Sequence, residues 1–240
     1  MKFLIVSVLI WSGFLSDLPR VEALTVSNLV DRTRDYLRDT SSDSSRQRFT
    51  NTVLIRFFQD CQEDIINRTW MMEGRTNVSL VSGTREYSLP SDYLKPTRVR
   101  FNNKALKEVT IEGFLDDEGR DWTVVTGTPT VYYIRRSTLP YIGFYPAPNF
   151  SSGSTVEIDY VRAPVELTAI GDTPFTANST DLQLYHRVLP YCAAEKGWLI
   201  NGRGDIAVYY HQLYENEMLR VKETLGTMPN YRPGFQGRKN

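Results

Sequence analysis

The side chains that most often carry catalysis or bind metals are sparse in this sequence. His186 and His211 are its two histidines, and Cys61 and Cys192 are its two cysteines. Neither histidine has a second ligand at metal-binding spacing, since H-x-x-x-H and C-x-x-C are both absent. His186 and Cys192 are six positions apart, which on one helix would place them on different faces. This spacing does not predict a cysteine hydrolase.

The remaining short motifs predict no reaction either. The nucleotide-binding patterns G-x-x-x-x-G-K-[ST] and G-x-G-x-x-G and the acyl-transfer pattern G-x-S-x-G do not occur. The acidic residues of 116–121 lack the alternating arrangement of calcium loops, so we interpret them as a solvated turn. Arg203-Gly204-Asp205 spells an integrin-binding tripeptide, but it lies where a helical hairpin needs a glycine and a cap. The sequence therefore predicts no enzyme, no metal and no cofactor.

The two cysteines leave two hypotheses open. Cys61 and Cys192 lie on segments that are predicted to be helical, so they could come near each other in one helical layer. Two cysteines are too few for a disulfide framework or a cysteine-only zinc site. Because cysteine is often simply a small buried residue, the sequence favours two buried free thiols.

Composition limits the classes of partner. The chain has 240 residues, of which 41% are hydrophobic, enough for a packed core. Lys plus Arg equals Asp plus Glu at 28 each, so no overall field draws the chain to nucleic acid or to an anionic membrane. Contact with DNA is therefore expected to be local or weak.

Residues 1–23 form an apolar extension. It has one lysine near its start, an apolar run from Phe3 to Trp11, and the sequence Val21-Glu22-Ala23, which suits signal peptidase. The run is too short to span a bilayer. We interpret the extension as a secretion signal or as an extra arm that packs on a neighbour.

Helical periodicity frames the chain at both ends. Apolar residues predict an amphipathic helix from Thr25 to Leu37, with a polar face of Arg32, Arg34, Asp35 and Arg38. A polar loop leads to a second, broadly apolar helix that Gly74 is expected to cap.

Two more helices are predicted after residue 178. The first is capped by 178–181 and interrupted by Pro190, which should bend it. Asp205 is expected to cap the next one, which ends at Gly226.

Between the two helical parts the apolar spacing becomes alternating. The pattern predicts eight short strands, Val78–Ser82, Arg85–Leu89, Thr97–Phe101, Leu106–Thr110, Trp122–Thr126, Thr130–Arg136, Tyr141–Tyr145 and Thr155–Val161. The predicted fold class is α+β, an antiparallel helical bundle of residues 24–76 and 178–226 with an antiparallel β-sandwich or barrel inserted at 77–177. Residues 227–240 show no periodicity, which is typical of an unpacked tail.

The order of short signals along the chain carries a family resemblance. The signals are Gly83–Tyr93, Arg98-Val99, Asp121-Trp122, Gly127-Thr128-Pro129, Tyr132-Tyr133, Ile142–Pro148, Tyr160, Ala163-Pro164 and Asp172-Thr173-Pro174. Between Leu24 and Leu225 this succession resembles the head-to-tail adaptor proteins of short-tailed bacteriophages, the tail tubular protein A-like connectors below the portal.

The resemblance implies a structural virion protein that is assembled in the host cytoplasm and has no catalytic or membrane role. About twelve copies would form a ring that joins the portal to the tail and lines the DNA exit channel. The candidate portal-docking residues are Tyr231, Arg232, Pro233, Phe235 and Arg238. The β domain would face a tail nozzle or fibre protein through Trp122, Tyr141 and Tyr145.

One alternative is a secreted β-sandwich module that binds carbohydrate or protein. The signal-like extension favours it. The glycosylation sequons at Asn67, Asn77, Asn149 and Asn178 fit it but carry little weight, because some arise by chance in a chain rich in Asn, Ser and Thr. In that case Trp122, Tyr132, Tyr133, Tyr141 and Tyr145 would form a stacking platform for the ligand.

Overall fold

The protein has a mixed α+β fold. The computed structural model describes residues 24–111, 124–150, 153–175 and 185–227, which form four α-helices and ten strands. Two helices precede the strands and two follow them, as the sequence predicts.

Helix α1 spans Val26–Leu37, and the first predicted helix is confirmed. Thr25 begins it with a capping box, in which Asn28 Oδ1 accepts from the Thr25 backbone N at 3.1 Å. The Thr25 hydroxyl also donates to that oxygen, at 2.8 Å. Apolar side chains of Val26, Leu29, Val30 and Leu37 face the core.

The polar face of α1 differs from the prediction at Arg34. This side chain is buried, and its guanidinium donates to Asp39 Oδ2 at 3.0 Å, to the Phe49 carbonyl oxygen at 2.9 Å and to Asn51 Oδ1 at 2.8 Å. The prediction that Arg34 faces water was wrong because the polar loop folds back on α1. Asp39 holds the loop there by accepting from the backbone N of Arg48 and Phe49.

Helix α2 spans Asn51–Thr69 and ends at Trp70, which has a positive φ of 55°. The prediction that Gly74 caps it was wrong, because Gly74 lies in the first strand opposite Tyr160. A Cβ at position 74 would lie 2.6 Å from Tyr160 Cζ. Gly74 therefore serves close packing of a ring on the strand.

Helix α3 spans Leu189–Ile200 and helix α4 spans Gly204–Thr227. Pro190 lies in the first turn of α3 and does not interrupt a longer helix, because residues 185–188 form a 3₁₀ turn. Proline suits a first turn, where its missing N–H would have no helical acceptor. Asp205 likewise lies inside the first turn of α4 and is not its cap.

A disulfide joins α2 to α3. Cys61 and Cys192 are bonded, with their Cα atoms 6.1 Å apart, although they are 131 positions apart in the sequence. The preference for two free thiols was wrong, although both residues are buried as expected. Spacing along the chain could not reveal the bond, because only the packing of α2 against α3 brings the two side chains together.

The strands form two four-stranded sheets and one two-stranded sheet. The first sheet has the order β1 (Glu73–Ser79), β10 (Thr155–Arg162), β3 (Tyr93–Phe101) and β4 (Lys104–Ala105). The second has the order β2 (Glu86–Ser88), β8 (Tyr141–Tyr145), β7 (Val131–Arg135) and β5 (Lys107–Glu108). The third pairs β6 (Thr126–Gly127) with β9 (Ala147–Pro148).

The strand bounds and directions differ from the prediction in a few places. β1 starts at Glu73 rather than Val78, where its pairing with β10 begins. The sequence predicts it too late because none of its side chains is fully buried and no apolar alternation marks it. β3 starts at Tyr93 and includes Pro96, which a register shift beside Tyr160 accommodates. The short pairs β5–β7 and β6–β9 are parallel rather than antiparallel.

The buried residues of the described ranges form two clusters. One contains apolar side chains of all four helices together with Met71, Met72 and Val161. The other contains residues of both four-stranded sheets, among them Val99, Ile158, Ile142 and Phe144. The chain crosses between the clusters where Arg162 N donates to the Met72 carbonyl oxygen at 2.9 Å.

Candidate functional site

Tyr141 and Tyr145 lie on strand β8. Both are half-buried, whereas Ile142 and Phe144 are fully buried. Neighbouring side chains of a strand point to opposite faces. The tyrosines therefore lie on the face turned away from the core, as the alternation in the sequence predicts.

Between them, Gly143 is covered by an aromatic ring. Its partner on β7 is Tyr133, and a Cβ at position 143 would overlap that ring. The Tyr133 phenol donates to Glu86 Oε1 at 3.1 Å. Burial and the negative charge of Glu86 raise the pKa of Tyr133, so its phenol stays a neutral donor. The ring is thus anchored across three strands.

The surroundings of Tyr141 and Tyr145 hold them in place. Arg135 pairs with Glu86 Oε2 at 3.1 Å, and its guanidinium lies 5.8 Å from the centre of the Tyr141 ring. The Tyr145 carbonyl oxygen accepts from Thr130 N at 2.9 Å and from Thr130 Oγ1 at 3.3 Å. These contacts hold the two aromatic residues in fixed positions on the surface.

The other predicted contact residues lie outside the described part of the chain. They are Trp122, Tyr231, Arg232, Pro233, Phe235 and Arg238. The acidic segment 116–121 lies outside it as well. Whether these residues lie near Tyr141 and Tyr145 therefore stays a prediction.

Ion pairs cover the outer face of the first sheet. Asp159 accepts from Arg75 Nε at 2.6 Å through Oδ1 and from Arg98 Nη2 at 2.6 Å through Oδ2. Glu157 pairs with Arg75 at 2.9 Å and with Arg100 at 2.7 Å. The sequence alternation predicts that this face is polar, and the register aligns its opposite charges across three strands.

The side chains that could act in catalysis are engaged elsewhere. His186 is buried, and its Nε2 donates to the Pro174 carbonyl oxygen at 3.0 Å. Burial lowers the pKa of His186. Cys192 has no thiol because it is bonded to Cys61. Within the described ranges, no group of three or more His, Cys, Asp or Glu residues could hold a metal ion.

A cavity that the sequence did not reveal lies beside α1. It has a volume of about 440 Å³ and lies between α1, the loop of residues 40–51 and Ile170. Asp31 and Asp35 line it, together with Ser27, Ser44 and Gln47. Arg34 also lines it, but Asp39 neutralises that charge at 3.0 Å. We call this cavity the acidic groove.

Another flank of α1 is basic and aromatic. The Tyr36 ring stacks on Tyr191 of α3 at 5.4 Å between ring centres and lies 5.6 Å from the Tyr210 ring of α4. Burial and a hydrogen bond with Tyr191 raise the pKa of Tyr36 to about 12, and the positive charge of Arg32 opposes that rise. Arg38 lowers the pKa of Tyr210 in the same way, against the larger effect of burial. Arg32, Tyr36, Arg38, Tyr191 and Tyr210 form what we call the basic flank.

The charges of both surfaces are visible in the sequence as a polar helix face. What packs beside each group of charges is not visible, because it depends on which side of α1 the loop and helices α3 and α4 lie. The signal that could have found the groove is the pair Asp31 and Asp35, two like charges four positions apart on one helix.

The sequence matches a known protein family. The family model described as SU10 adaptor protein matches residues 24–234. No curated protein matches the chain. Among the helices of the described ranges, none has the length and apolar content to cross a membrane.

Proposed function

The chain belongs to the SU10 adaptor protein family of phage structural adaptors, and on that premise we propose that it forms a ring joining the portal to the tail. The family match carries the proposal, since it covers both helical parts and the strands between them. The protein acts as a structural component of the virion. About twelve copies surround the DNA exit channel and touch DNA phosphates weakly, in keeping with equal numbers of acidic and basic residues.

We assign separate contacts to the two ends of the subunit. The helical parts, predicted at 24–76 and 178–226, form the adaptor base, and the insertion predicted at 77–177, whose first strand begins earlier at Glu73, forms a β-sandwich. The shared core of the two four-stranded sheets supports this layout. The antiparallel pairing of β1 with β10 also supports it, since it brings the ends of the insertion together.

The C-terminal tail, residues 227–240, docks on the portal. Its Tyr231, Phe235, Arg232 and Arg238 combine aromatic and guanidinium groups, which are common at interface hot spots, and Pro233 limits its backbone freedom. Trp122, Tyr141 and Tyr145 contact the tail nozzle or fibre protein. The rigid surroundings of Tyr141 and Tyr145 support that role, because an ordered surface loses little entropy on binding.

The secreted alternative accounts for the disulfide. Disulfides are typical of oxidising compartments, and the bond between Cys61 and Cys192 fits that class. The family match over residues 24–234 favours the adaptor.

Light scattering coupled to size-exclusion chromatography tests the proposal, with the purified chain alone and with its portal. We expect a ring of defined mass and a portal complex that is lost when residues 228–240 are deleted. A chain that stays monomeric and never binds portal overturns the proposal. A ring that binds portal equally well without the tail overturns only the docking assignment.

A further inference from the structure

Four charged residues of α1 and its C-cap are exposed and lack an ion-pair partner in the described part of the chain. They are Asp31, Arg32, Asp35 and Arg38. Partners were available, because Asp31 and Arg34, and also Asp35 and Arg38, are three positions apart along the chain. Arg34 instead pairs with Asp39. Within the residues that the structure describes, the four charges are thus left unpaired.

These charges are sorted by sign. Asp31 and Asp35 are about 40° apart around the helix and both line the acidic groove. Arg32 and Tyr36 are also about 40° apart, on a face turned by roughly 100° from Asp31. The tyrosine contacts place that face against α3 and α4. One helix therefore presents two flanks of opposite charge.

The acidic groove is suited to a cation supplied from outside the subunit. Two carboxylates four positions apart on a helix repel each other. A concave surface strengthens their combined field. The hydroxyls and amide that line the rest of the groove can accept hydrogen bonds from a guanidinium. Ile170, which is 45% exposed, supplies an apolar edge.

The basic flank has the complementary features. Arg32 and Arg38 are exposed, and their charges act on Tyr36 and on Tyr210, respectively. Tyr209, 56% exposed, continues the aromatic surface with its ring 5.3 Å from the Tyr210 ring. Guanidinium and aromatic side chains are enriched at protein interfaces. A partner for this flank needs carboxylates and a recess, both of which the acidic groove provides.

We propose that the basic flank of one subunit binds the acidic groove of the next, with a second copy of this chain as the occupant. The two surfaces are different, so the contact is head-to-tail and repeats around a ring, unlike a self-complementary contact that stops at a dimer. This inference rests on the proposed function and identifies the surfaces through which its ring closes.

Charge exchange in the full chain tests the contact. The groove variant is Asp31→Lys with Asp35→Lys, and the flank variant is Arg32→Glu with Arg38→Glu. Each variant alone places like charges at every subunit contact, so each should lose ring assembly by at least tenfold in association constant. An equimolar mixture restores opposite charges at every contact and should recover the wild-type mass. Far-UV circular dichroism checks that each variant is folded.

The control variant replaces two acidic residues by lysine, as the groove variant does, but at positions outside the acidic groove and the basic flank. Glu73→Lys with Glu223→Lys alters two exposed residues, one on β1 and one on α4, that lie outside the groove, and it should assemble like the wild type. Assembly of both folded variants alone, or no recovery in the mixture, overturns the contact and leaves the proposed ring intact. A wild-type chain that never assembles, with or without portal, overturns the proposed function and the contact with it.

Discussion

In the helical part and in the strand part of this protein, segments that are distant in the sequence are joined in different ways. The helices come from opposite ends of the chain, and a disulfide between positions 131 apart joins them. Arg68 of α2 also clamps Glu215 of α4 with two hydrogen bonds of 2.7 and 2.6 Å. The strands come from one continuous stretch, and its first strand pairs with its last over seven residues.

This difference indicates which part depends on the other. The strand part brings its own ends together, and its buried residues are supplied by its own two sheets. The two halves of the helical part are separated in the sequence by the strands. They can therefore meet only after the strands have folded or have formed a long loop. Loop-closure entropy therefore opposes assembly of the helices more than assembly of the sheets.

Truncation of one core phenylalanine in each part should give the largest loss of stability, and each loss should be confined to the part that carries the change. Phe144 and Phe58 are both fully buried, one in each cluster. Phe144→Ala and Phe58→Ala should each lower the free energy of unfolding by about 3–5 kcal/mol, because each leaves a cavity. Hydrogen exchange measured by mass spectrometry should place each loss in the peptides of its own cluster. Equal loss in both clusters would show that the two parts unfold as one unit.

Removal of the disulfide should weaken the helical part selectively. Cys61→Ala with Cys192→Ala should lower its free energy of unfolding by about 2–5 kcal/mol, since the unfolded chain gains a long unconstrained loop. Chemical denaturation with and without a reductant measures the effect. The wild type with reductant should match the variant, and reductant should leave the variant unchanged. A wild type indifferent to reductant contradicts the stabilising role.

Asp159 should give the strand part a smaller, pH-dependent contribution. Burial alone would raise the pKa of Asp159, but hydrogen bonds from Arg98 and Arg75 outweigh it and hold the pKa below its usual value. A carboxyl with a lowered folded pKa stabilises the fold above its unfolded pKa of about 4, and the stabilisation is lost as the pH falls through the folded value.

Asp159→Asn should therefore cost about 1–2 kcal/mol at neutral pH, a value reduced by solvent around the half-exposed arginines. The cost should shrink as the pH falls below about 4. Denaturation measured from pH 2 to 7 tests this. Asp205→Asn, at an exposed pair with Arg203, is the control and should cost much less, because solvent screens that pair. A cost that does not vary with pH would assign the effect to packing rather than charge.

Much of the secondary structure could be predicted from local patterns. The apolar spacing of Val26, Leu29 and Leu37 predicts α1, and the alternation of Val156 and Ile158 predicts β10. β1 was placed too late because its pairing partner, not its own apolar pattern, defines it. Pro190 was interpreted as a helix interruption because the turn before it leaves no local signal.

The candidate surfaces were harder to predict. Alternation places Tyr141 and Tyr145 opposite Phe144, yet it says nothing of Tyr133, whose ring covers Gly143 from a neighbouring strand. The acidic groove needs the loop after α1 to fold back, which the buried guanidinium of Arg34 secures.

The sequence by itself determined the order of helices and strands, the balance of charge and the succession of segments shared with phage adaptors, because each of these depends on neighbours along the chain. Only the tertiary structure decided that Cys61 bonds Cys192, that Arg34 is buried and that Asp31 and Asp35 line a groove formed with the loop after α1. Each of these depends on groups that are distant in sequence. Their proximity arises only when the helices pack and exclude water.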